Sequence, residues 1–440
     1  MRDSKRTVIL LLVVVLVFAV FAGCTKETIP EKPSTDNNEA TKAPETEPVT
    51  IQFLQWWGTE GAVEASIDGL VAGFEAEYPH ITVEVISLPF GETKTQIVAN
   101  HAAGTVADVV GLNPPWTREF VDLGILEPLD SYMANDDDFN KDDYFPASMA
   151  PIKGNTYLAP YNTLSFFLYY NKDMFEAASL STPESWQDVI DAAEALSDID
   201  NNKYGFTLSL SEGGASNGSI LSLYPLLYAA NGRTLVGDKY SCQTPEMVEA
   251  MNFLKTLSEA GSIVPGENVK NDAMMVEEFS LGNIGMMIQN DAHVATLAAK
   301  NPDLNYGIIP IPTVDGSGTP ELRHHGWDIG MTAKGENKEE AWLFISYLLR
   351  KENMERAGIE MKKTPSMYGV EPSEDASEPE KLAKQYLAEY SMVEELMEMP
   401  SAGACWTELT KAGVAVLGGI KTVDEALADC QAEWDNILGQ

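Results

Sequence analysis

Strand and helix patterns alternate along the first folded part of the chain, and this alternation restricts the possible folds more than any other feature. Strands are indicated at Val49–Leu54, Ile81–Ile86 and Ala107–Leu112 by β-branched and apolar residues. Between them, Ala62–Glu77 and Thr93–Ala103 have apolar residues at helical spacing. This order predicts parallel strands joined by crossover helices, which places the region in the α/β class.

A second run of strands and helices follows further along the chain. A strand is predicted at Leu164–Tyr170, and Pro183 is expected to open a helix with Thr182 as its N-cap. A helix from Pro245 to Ala260 has Thr244 as its expected N-cap. Further elements are predicted at Tyr204–Leu210, Ile284–Ile288, Tyr306–Ile311, Lys338–Arg350 and, largely helical, Lys381–Leu438. The folded part is too long for one hydrophobic core, so we expect two α/β lobes.

The first residues have the layout of a secretory signal peptide. A short basic region precedes the apolar run Thr7–Phe21, which is too short to span a membrane and ends in small residues. The stretch Phe21–Cys24 (FAGC) resembles a bacterial lipobox, in which the cysteine is acylated, so Cys24 is the predicted lipidation site. An ordinary signal peptide with an incidental cysteine is the alternative. We predict a signal peptide at residues 1–23 and, over residues 24–48, a lipidated cysteine and a disordered tether.

The chain is strongly acidic, with 67 Asp and Glu residues against 29 Lys and Arg and a formal net charge of −38. Phosphate binding requires clustered cations, so no nucleic-acid partner is expected. An acidic surface favours solubility and is repelled by anionic membranes, but it does not identify a ligand.

Neither a metal site nor a cofactor is predicted. Cys242, Cys405 and Cys430 lack metal-type spacing, and either a Cys405–Cys430 disulfide or three buried thiols would fit the sequence. Asp198–Gly205 alternates oxygen ligands but lacks the glycine and the glutamate of a calcium loop, so a turn is expected. The adjacent pair His324–His325 would point in opposite directions on an extended segment, which argues against chelation.

Several short segments occur in a fixed order along almost the whole mature chain. They are Thr50–Gly58 (TIQFLQWWG), Phe74–Val85 (FEAEYPHITVEV), Ala107–Val110 (ADVV), Leu123–Asp130 (LGILEPLD), Tyr169–Phe175 (YYNKDMF), Thr182–Trp186 (TPESW), Gly282–Met287 (GNIGMM), Gly326–Gly330 (GWDIG), Asn337–Trp342 (NKEEAW) and Thr422–Leu427 (TVDEAL). Together they resemble the extracellular solute-binding protein family 1, the maltose-binding-like proteins. Each segment is weak alone, but their number and order make the resemblance specific.

The resemblance implies a periplasmic-binding-protein-like fold, in which two α/β lobes enclose a ligand cleft and close by a hinge motion. Both lobes would be discontinuous in sequence. The implied N-lobe comprises residues 49–161 and 327–370, and the implied C-lobe comprises residues 162–326 and 371–440. The chain would cross between the lobes near Ala159–Leu164, near Arg323–Asp328 and within Thr364–Pro379.

The resemblance also implies a function. The chain would be an extracytoplasmic lipoprotein, held at the cell membrane by Cys24, that binds a mono- or oligosaccharide and delivers it to the permease subunits of an ATP-binding-cassette importer. A monomer without enzymatic activity is expected, and the identity of the sugar is left open. A secreted glycoside hydrolase, whose two carboxylates sequence cannot show, and a surface adhesin are the alternatives. Motifs of P-loop proteins and zinc proteases are absent from the sequence.

Candidate ligand contacts follow from the chemistry of sugars. Sugars have hydroxyls at the ring edge and C–H groups on the faces, so a site requires flat aromatic rings together with amides and carboxylates. Trp56, Trp57 and Glu60 follow the first strand, where open parallel sheets bind ligands. Asn113 and Trp116 follow the third strand in the same way. Because side chains alternate along a strand, one of the adjacent tryptophans is expected in the core and the other in the cleft.

The remaining candidates lie on the predicted crossings and in the C-lobe. They are Tyr161 and Asn162 on the first crossing, Trp327 and Asp328 on the second, Asp291 after the strand Ile284–Ile288, and Trp406 in a segment that resembles the one bearing a stacking aromatic in the family's C-lobe. A structural role in a core or turn is the alternative for each of them, and Trp434 is expected in a helix core. The candidates include no Lys or Arg, so an anionic ligand is less favoured.

Overall fold

The computed structural model describes residues 47–59, 63–212 and 218–440. The predicted signal peptide, the predicted lipidation site Cys24, most of the predicted tether and the candidate Glu60 lie outside these residues. Among the described residues, no helix is long and apolar enough to cross a membrane.

Two mixed β-sheets form the centres of two α/β lobes, which confirms the predicted fold class. In the described residues the strands are β1 (Val49–Gln55), β2 (Ile81–Ser87), β3 (Val109–Leu112), β4 (Ala159–Leu164), β5 (Phe166–Asn171), β6 (Tyr204–Thr207), β7 (Leu235–Val236), β8 (Lys239–Tyr240), β9 (Ile284–Asn290), β10 (Tyr306–Pro310), β11 (Leu322–Arg323), β12 (His325–Met331), β13 (Thr364–Pro365) and β14 (Met392–Val393). The larger sheet has the order β13-β4-β12-β3-β1-β2, and the smaller has the order β10-β5-β9-β6. The pairs β7-β8 and β11-β14 form short two-stranded sheets.

Helices connect the strands and pack against the sheets. In the described part of the chain the α-helices are α1 (Val63–Glu77), α2 (Phe90–Ala103), α3 (Thr117–Asp122), α4 (Asp130–Asn135), α5 (Lys172–Ala177), α6 (Trp186–Leu196), α7 (Tyr224–Ala229), α8 (Pro245–Glu259), α9 (Asp272–Ser280), α10 (His293–Lys300), α11 (Lys338–Leu349), α12 (Lys351–Met361), α13 (Glu378–Glu389), α14 (Ala402–Leu417) and α15 (Val423–Leu438). A π-helical turn, Ser219–Leu223, precedes α7.

The first three strands pair as the sequence predicts. β1 lies parallel to both β2 and β3, and α1 and α2 form the crossover connections. β12 is antiparallel to β3 and β4, so a strand from late in the chain lies inside the sheet built by the early ones. The carboxyl ends of β1 and β3 lie at one edge of this sheet, so Trp56 and Asn113, which directly follow them, leave the sheet there.

The predicted strand Leu164–Tyr170 is wrong in one respect. Leu164 is the last residue of β4, and Phe166–Tyr170 belong to β5, which lies in a different sheet. β4 ends and β5 begins on either side of Ser165. The backbone N–H of Ser165 donates to Asp291 Oδ1 (2.8 Å), and its hydroxyl donates to the Arg323 carbonyl (2.8 Å). Since these partners replace a neighbouring strand, the chain leaves the larger sheet at Ser165 and enters the smaller one.

Two further connections join the lobes. The chain returns to the larger sheet at His324, between β11 and β12. It leaves that sheet again after β13, and α13 then packs in the second lobe, where Ala383 and Leu387 contact the same core as Phe167 of β5. The predicted lobe boundaries at 161/162, 326/327 and 370/371 stay predictions.

The described residues form three hydrophobic clusters, one at the larger sheet and two at the smaller sheet. Phe53, Phe74 and Phe344 lie in the core of the first lobe. Trp434 lies in the core of the second, is 0% exposed, and donates its Nε1 hydrogen to the Cys405 carbonyl (2.8 Å). The expectation that Trp434 is a core residue is therefore confirmed.

A short stretch, residues 394–400, contacts both lobes, and we refer to it as the interlobe segment. Its Met397 packs in the core of the first lobe, whereas its Met399 packs in the core of the second. Arg118, at the start of α3 in the first lobe, donates from Nη1 to the Glu398 carbonyl (2.6 Å). The interlobe segment therefore joins the lobes through side-chain packing and a hydrogen bond, in addition to the three chain crossings.

The expected start of the first helix in the second lobe is wrong by three residues. α6 begins at Trp186, and Ser185 rather than Thr182 is its N-cap. The Ser185 hydroxyl accepts the N–H of Asp188 (3.2 Å), and the Asp188 carboxylate accepts the N–H of Ser185 (2.9 Å), which is a complete capping box. This reciprocal pair outweighs the preference of Pro183 for a first helical turn. The expected N-cap Thr244 of α8 is confirmed.

The sequence left two arrangements open for the cysteines, and the structure has the second of them. Cys242, Cys405 and Cys430 are all buried and free. No Cys405–Cys430 disulfide is present. The pKa of the Cys405 thiol is raised to about 12, mainly by burial. The described residues also contain no cluster of His, Cys, Asp and Glu that could hold a metal ion.

Candidate functional site

A cavity of about 910 Å³ lies between the two lobes. This volume is within the usual range for sites that take a small molecule. From the first lobe the cavity is lined by Trp56, Phe90, Asn113, Trp116 and Trp327, and from the second by Phe166, Ile220, Leu221 and Trp406. Residues after the carboxyl ends of β1 and β3 thus line it, as the topology of an open parallel sheet favours.

Aromatic rings in mutual contact build the first-lobe wall of the cavity. The ring of Trp56 lies 5.3 Å, centroid to centroid, from both Phe90 and Trp116, and 6.1 Å from Trp327. Phe90 and Trp116 stack on each other at 5.1 Å. Each ring is held by its neighbours, so the wall is a rigid apolar surface.

Trp57 lies behind this wall and does not line the cavity. Its ring is stacked between Tyr161 (5.1 Å, 4°) and Trp327 (5.6 Å, 10°). Trp56 and Trp57 therefore lie on different sides, one in the cavity wall and the other in the core beneath it. Burial raises the pKa of the Tyr161 hydroxyl, which is consistent with its place in the interior.

Trp327 lines the cavity, but other groups already lie against its ring. Besides the stacked ring of Trp57, the Nζ of Lys363 lies 4.4 Å from the Trp327 ring centroid. Such a contact between an ammonium group and an indole is a cation–π interaction. Trp327 is nevertheless 7% exposed, whereas Trp56, which is surrounded by aromatic rings, is only 1% exposed and has the smaller free ring surface.

Opposite this wall, Trp406 projects from α14 of the second lobe. Its side chain lines the cavity, and the indole Nε1 makes no hydrogen bond to any described residue. The backbone of Trp406 contacts the π-helical turn, whose first residue, Ser219, donates its hydroxyl hydrogen to the Trp406 carbonyl (3.2 Å). Asn113 on the first-lobe side has a buried Oδ1 that also lacks a partner among the described residues. Trp406 and Asn113 thus each contribute a buried polar atom that has no hydrogen-bond partner among the described residues.

Three other predicted residues lie at the crossings and not in the cavity wall. Asn162 Oδ1 accepts the backbone N–H of Trp327 (3.1 Å), which joins β4 to β12 beside the register shift. Asp328 is completely buried, and this burial raises the pKa of its carboxyl well above the ordinary value. Asp291 accepts the N–H of Ser165 and lines a separate cavity of about 170 Å³.

The structure therefore brings Trp56, Asn113, Trp116, Trp327 and Trp406 together, and it places Trp57, Tyr161, Asn162, Asp291 and Asp328 outside the lining of this cavity. Among the lining residues that sequence reasoning missed is Phe90, at the start of α2 shortly after β2. The carboxyl-end rule that selected Trp56 could also have selected Phe90.

The expectation that the cleft lacks cationic side chains is wrong. Lys94, Arg118 and Arg323 line the cavity. The Nζ of Lys94 pairs with Glu119 (2.7 Å), and the Nε of Arg118 pairs with Asp122 (3.0 Å). The sequence could have identified Arg323 as a candidate, because the second crossing is predicted to begin at this residue.

A cavity between two α/β lobes that are joined by crossing strands, with aromatic and polar walls, defines the class of two-lobe binding proteins. The chain belongs to the family of bacterial extracellular solute-binding proteins, and the family profile matches residues 57–355. The resemblance inferred from the sequence is thereby confirmed.

Individual relatives are similar to most of the chain. A putative binding protein of Brucella abortus (strain 2308) is 29% identical over 285 residues, which are 63% of this chain and 67% of that protein. The sn-glycerol-3-phosphate-binding periplasmic protein UgpB of Agrobacterium fabrum is 24% identical over 306 residues, covering 66% of this chain and 69% of that protein. Among solved structures, the sugar-binding protein MalE of Xanthomonas citri has a TM-score of 0.77 at 19% identity and covers 89% of this chain and 97% of its own. All three of these relatives are named as binding proteins.

Proposed function

We propose that this protein binds a carbohydrate or a similar polyhydroxylated molecule between its lobes and delivers it to an ATP-binding-cassette importer. The observation that carries the proposal is the cavity of about 910 Å³, which has aromatic rings on both sides and whose lining residues Asn113 and Trp406 have polar atoms without a partner among the described residues. Aromatic faces suit the C–H surface of a sugar, and free donors and acceptors suit its hydroxyls.

The relatives support this class of ligand. One is named for binding sugar and another for binding sn-glycerol 3-phosphate, and both ligands are rich in hydroxyl groups. The importer is supported by another relative, the putative ABC transporter periplasmic-binding protein YcjN of Escherichia coli. We further propose that the mature protein is a monomer held at the outer face of the membrane by lipidated Cys24.

Within the site, we assign ligand contact to Asn113, Trp116, Trp327 and Trp406, and edge contact to the more deeply buried Trp56. The other predicted residues have supporting roles in this proposal. Trp57 and Tyr161 stabilise the aromatic wall from behind, and Asn162, Asp291 and Asp328 hold the crossings on which the lobes move. Glu60 stays a predicted contact.

A thermal-shift screen of the purified protein against a carbohydrate library tests the proposal. A ligand at a hundred times its Kd stabilises the folded state by about 2.7 kcal/mol and raises the melting temperature. We expect at least one sugar or polyol to do so, and mass spectrometry to recover it unchanged after long incubation. A library in which no member raises the melting temperature would contradict the proposed function. Steady conversion of the ligand would favour a hydrolase instead.

A further inference from the structure

One cationic side chain in the cavity wall forms no ion pair with any described residue. Arg323 lies on β11 at the second crossing, lines the cavity, and is only 2% exposed. Its guanidinium lies over the ring of Phe166, 5.0 Å from the centroid. Its Nε and Nη1 are buried and form no hydrogen bond within the described residues.

The acidic group with the largest electrostatic effect on Arg323 is Glu394, whose carboxylate lies against other groups. One oxygen of Glu394 accepts the backbone N–H of Met397 (2.9 Å), and the other lies 3.5 Å from Nδ1 of His324. Burial lowers the pKa of Arg323, and the charge of Glu394 opposes this change without an ion pair between the two groups. The attraction of Glu394 therefore compensates for burial only in part.

An unpaired buried charge is costly, and proteins normally pair such a group or place it where a ligand will pair it. The other two cationic side chains of the cavity, Lys94 and Arg118, already have carboxylate partners. A guanidinium forms its strongest hydrogen bonds with carboxylate and phosphate oxygens, to which it can donate two hydrogens at once. The difference between Arg323 and its neighbours thus indicates a ligand with negative charge.

We propose that the natural ligand is a sugar or polyol that carries an anionic group, a carboxylate or a phosphate, and that Arg323 binds this group. The proposal rests on the proposed function and narrows its ligand class. The aromatic rings of Trp116 and Trp406 would contact the apolar faces of the ligand while its charge lies at the second crossing. The net charge of −38 does not prevent this, because exposed charges are screened over about 8 Å at physiological ionic strength.

Calorimetric titration with matched ligands tests the proposal. Each sugar is offered in three forms, for example D-glucose, D-glucuronate and D-glucose 6-phosphate, and glycerol is compared with glycerol 3-phosphate. We expect an anionic form to bind roughly tenfold to a hundredfold more tightly than its neutral parent, as hydrogen bonds to charged groups do. The uronate and phosphate arms distinguish the two sources of charge.

Variants of Arg323 test whether this residue causes the tighter binding of the anionic form. Arg323→Met is expected to remove the preference for the anionic form, and Arg323→Lys, which keeps the charge but loses the planar donor geometry, to retain only part of it. If Arg323→Met does not fold, the Lys variant still gives the readout. Arg233→Met is the matched control, because Arg233 pairs with Glu321 (2.7 Å) in the same lobe but does not line the cavity.

The outcomes separate this proposal from the proposed function. Neutral sugars that bind as tightly as their anionic forms would overturn the role of Arg323 and leave the proposed function intact. Loss of the preference in Arg118→Met but not in Arg323→Met would also overturn it, because the anion would then lie at a different position. If neither neutral nor anionic forms bind, the proposed function itself fails.

Discussion

At the scale of single residues, the tryptophans differ in what their rings contact. Trp57 has aromatic rings on both faces and contributes to packing. Trp406 lines the cavity and has an indole N–H that no described residue accepts. Trp186 is a fully partnered tryptophan of the second lobe, since it donates to the Pro312 carbonyl (2.7 Å) and packs on Phe253 (5.0 Å). Truncating these tryptophans is therefore expected to have different effects on ligand binding and on stability.

Truncation of Trp406 is expected to reduce binding more than stability. Trp406→Ala removes a ring from the cavity wall, and such aromatic anchors typically contribute about 2–4 kcal/mol to binding. Trp186→Ala, in the core of the same lobe, is expected to cost about 3–5 kcal/mol of stability and to leave the Kd nearly unchanged. Calorimetric titration with a ligand from the screen and denaturant unfolding measure the two quantities. Normal binding by Trp406→Ala would show that the ligand lies elsewhere.

A pH dependence follows from Asp291. Burial raises the pKa of this carboxyl to about 6, although the N–H of Ser165 and the charge of Lys363 oppose the shift. An acid with a higher pKa in the folded state loses stability as the pH rises from its unfolded pKa, about 4, to its folded value. Asp291→Asn keeps an acceptor for Ser165, so its stability relative to the wild type is expected to increase between pH 4 and pH 6.

Urea unfolding of both proteins across this pH range measures the difference. The difference between the two curves is the relevant quantity because His293 acts in the opposite direction. Burial lowers the pKa of His293 to about 4, so its contribution to stability is lost as the pH falls from about 6.5 toward that value. Parallel curves for the wild type and Asp291→Asn would contradict the assigned shift.

At the scale of secondary-structure elements, the start of α6 offers a direct test of a sequence rule. Ser185→Ala removes the capping hydroxyl and is expected to lower the free energy of unfolding by about 1 kcal/mol. Thr182 is exposed and lies outside the helix, so Thr182→Ala is expected to have almost no effect. Denaturant unfolding of the two variants compares them, and equal losses would show that the capping box contributes little.

The sequence predicts elements well where their signals are local. The strands and helices between Val49 and Leu112, and the cap at Thr244, depend on neighbours in sequence and were confirmed. The division of one predicted strand at Ser165 depends on partners far along the chain, namely Asp291 and Arg323. No local pattern contains that information, so a continuous apolar run was read as one strand.

For the candidate site too, the sequence predicts the residues that depend on strand order and misses those that depend on contacts between distant residues. The carboxyl-end rule identifies Trp56, Asn113 and Trp116 because it needs only the strand order. The resemblance predicts where the chain crosses between the lobes, but whether a side chain on a crossing faces the cavity depends on three-dimensional packing. Arg323 shows this limit most clearly, because its importance comes from the absence of a hydrogen-bond partner among the described residues.

At the scale of the whole molecule, the net charge bears on the proposed attachment of the protein to a membrane. A net charge of −38 repels anionic lipids, so attachment would have to come from a lipid anchor. Expressed in a bacterium, the protein is expected in the membrane fraction with incorporated labelled palmitate, and high salt is not expected to release it. Cys24→Ala is expected to abolish the label. A wild-type protein recovered soluble and unlabelled outside the cell would contradict the lipobox interpretation.

The interlobe segment has a consequence for how the two lobes melt. Met397 completes one hydrophobic core while Met399, two residues away, completes the other, so neither core can lose its order without disturbing the other. We therefore expect a single calorimetric transition whose van't Hoff and calorimetric enthalpies agree, rather than one transition for each lobe. Met397→Ala is expected to weaken this cooperativity and broaden or split the transition. The protein would then hinge as two bodies during binding but unfold as one.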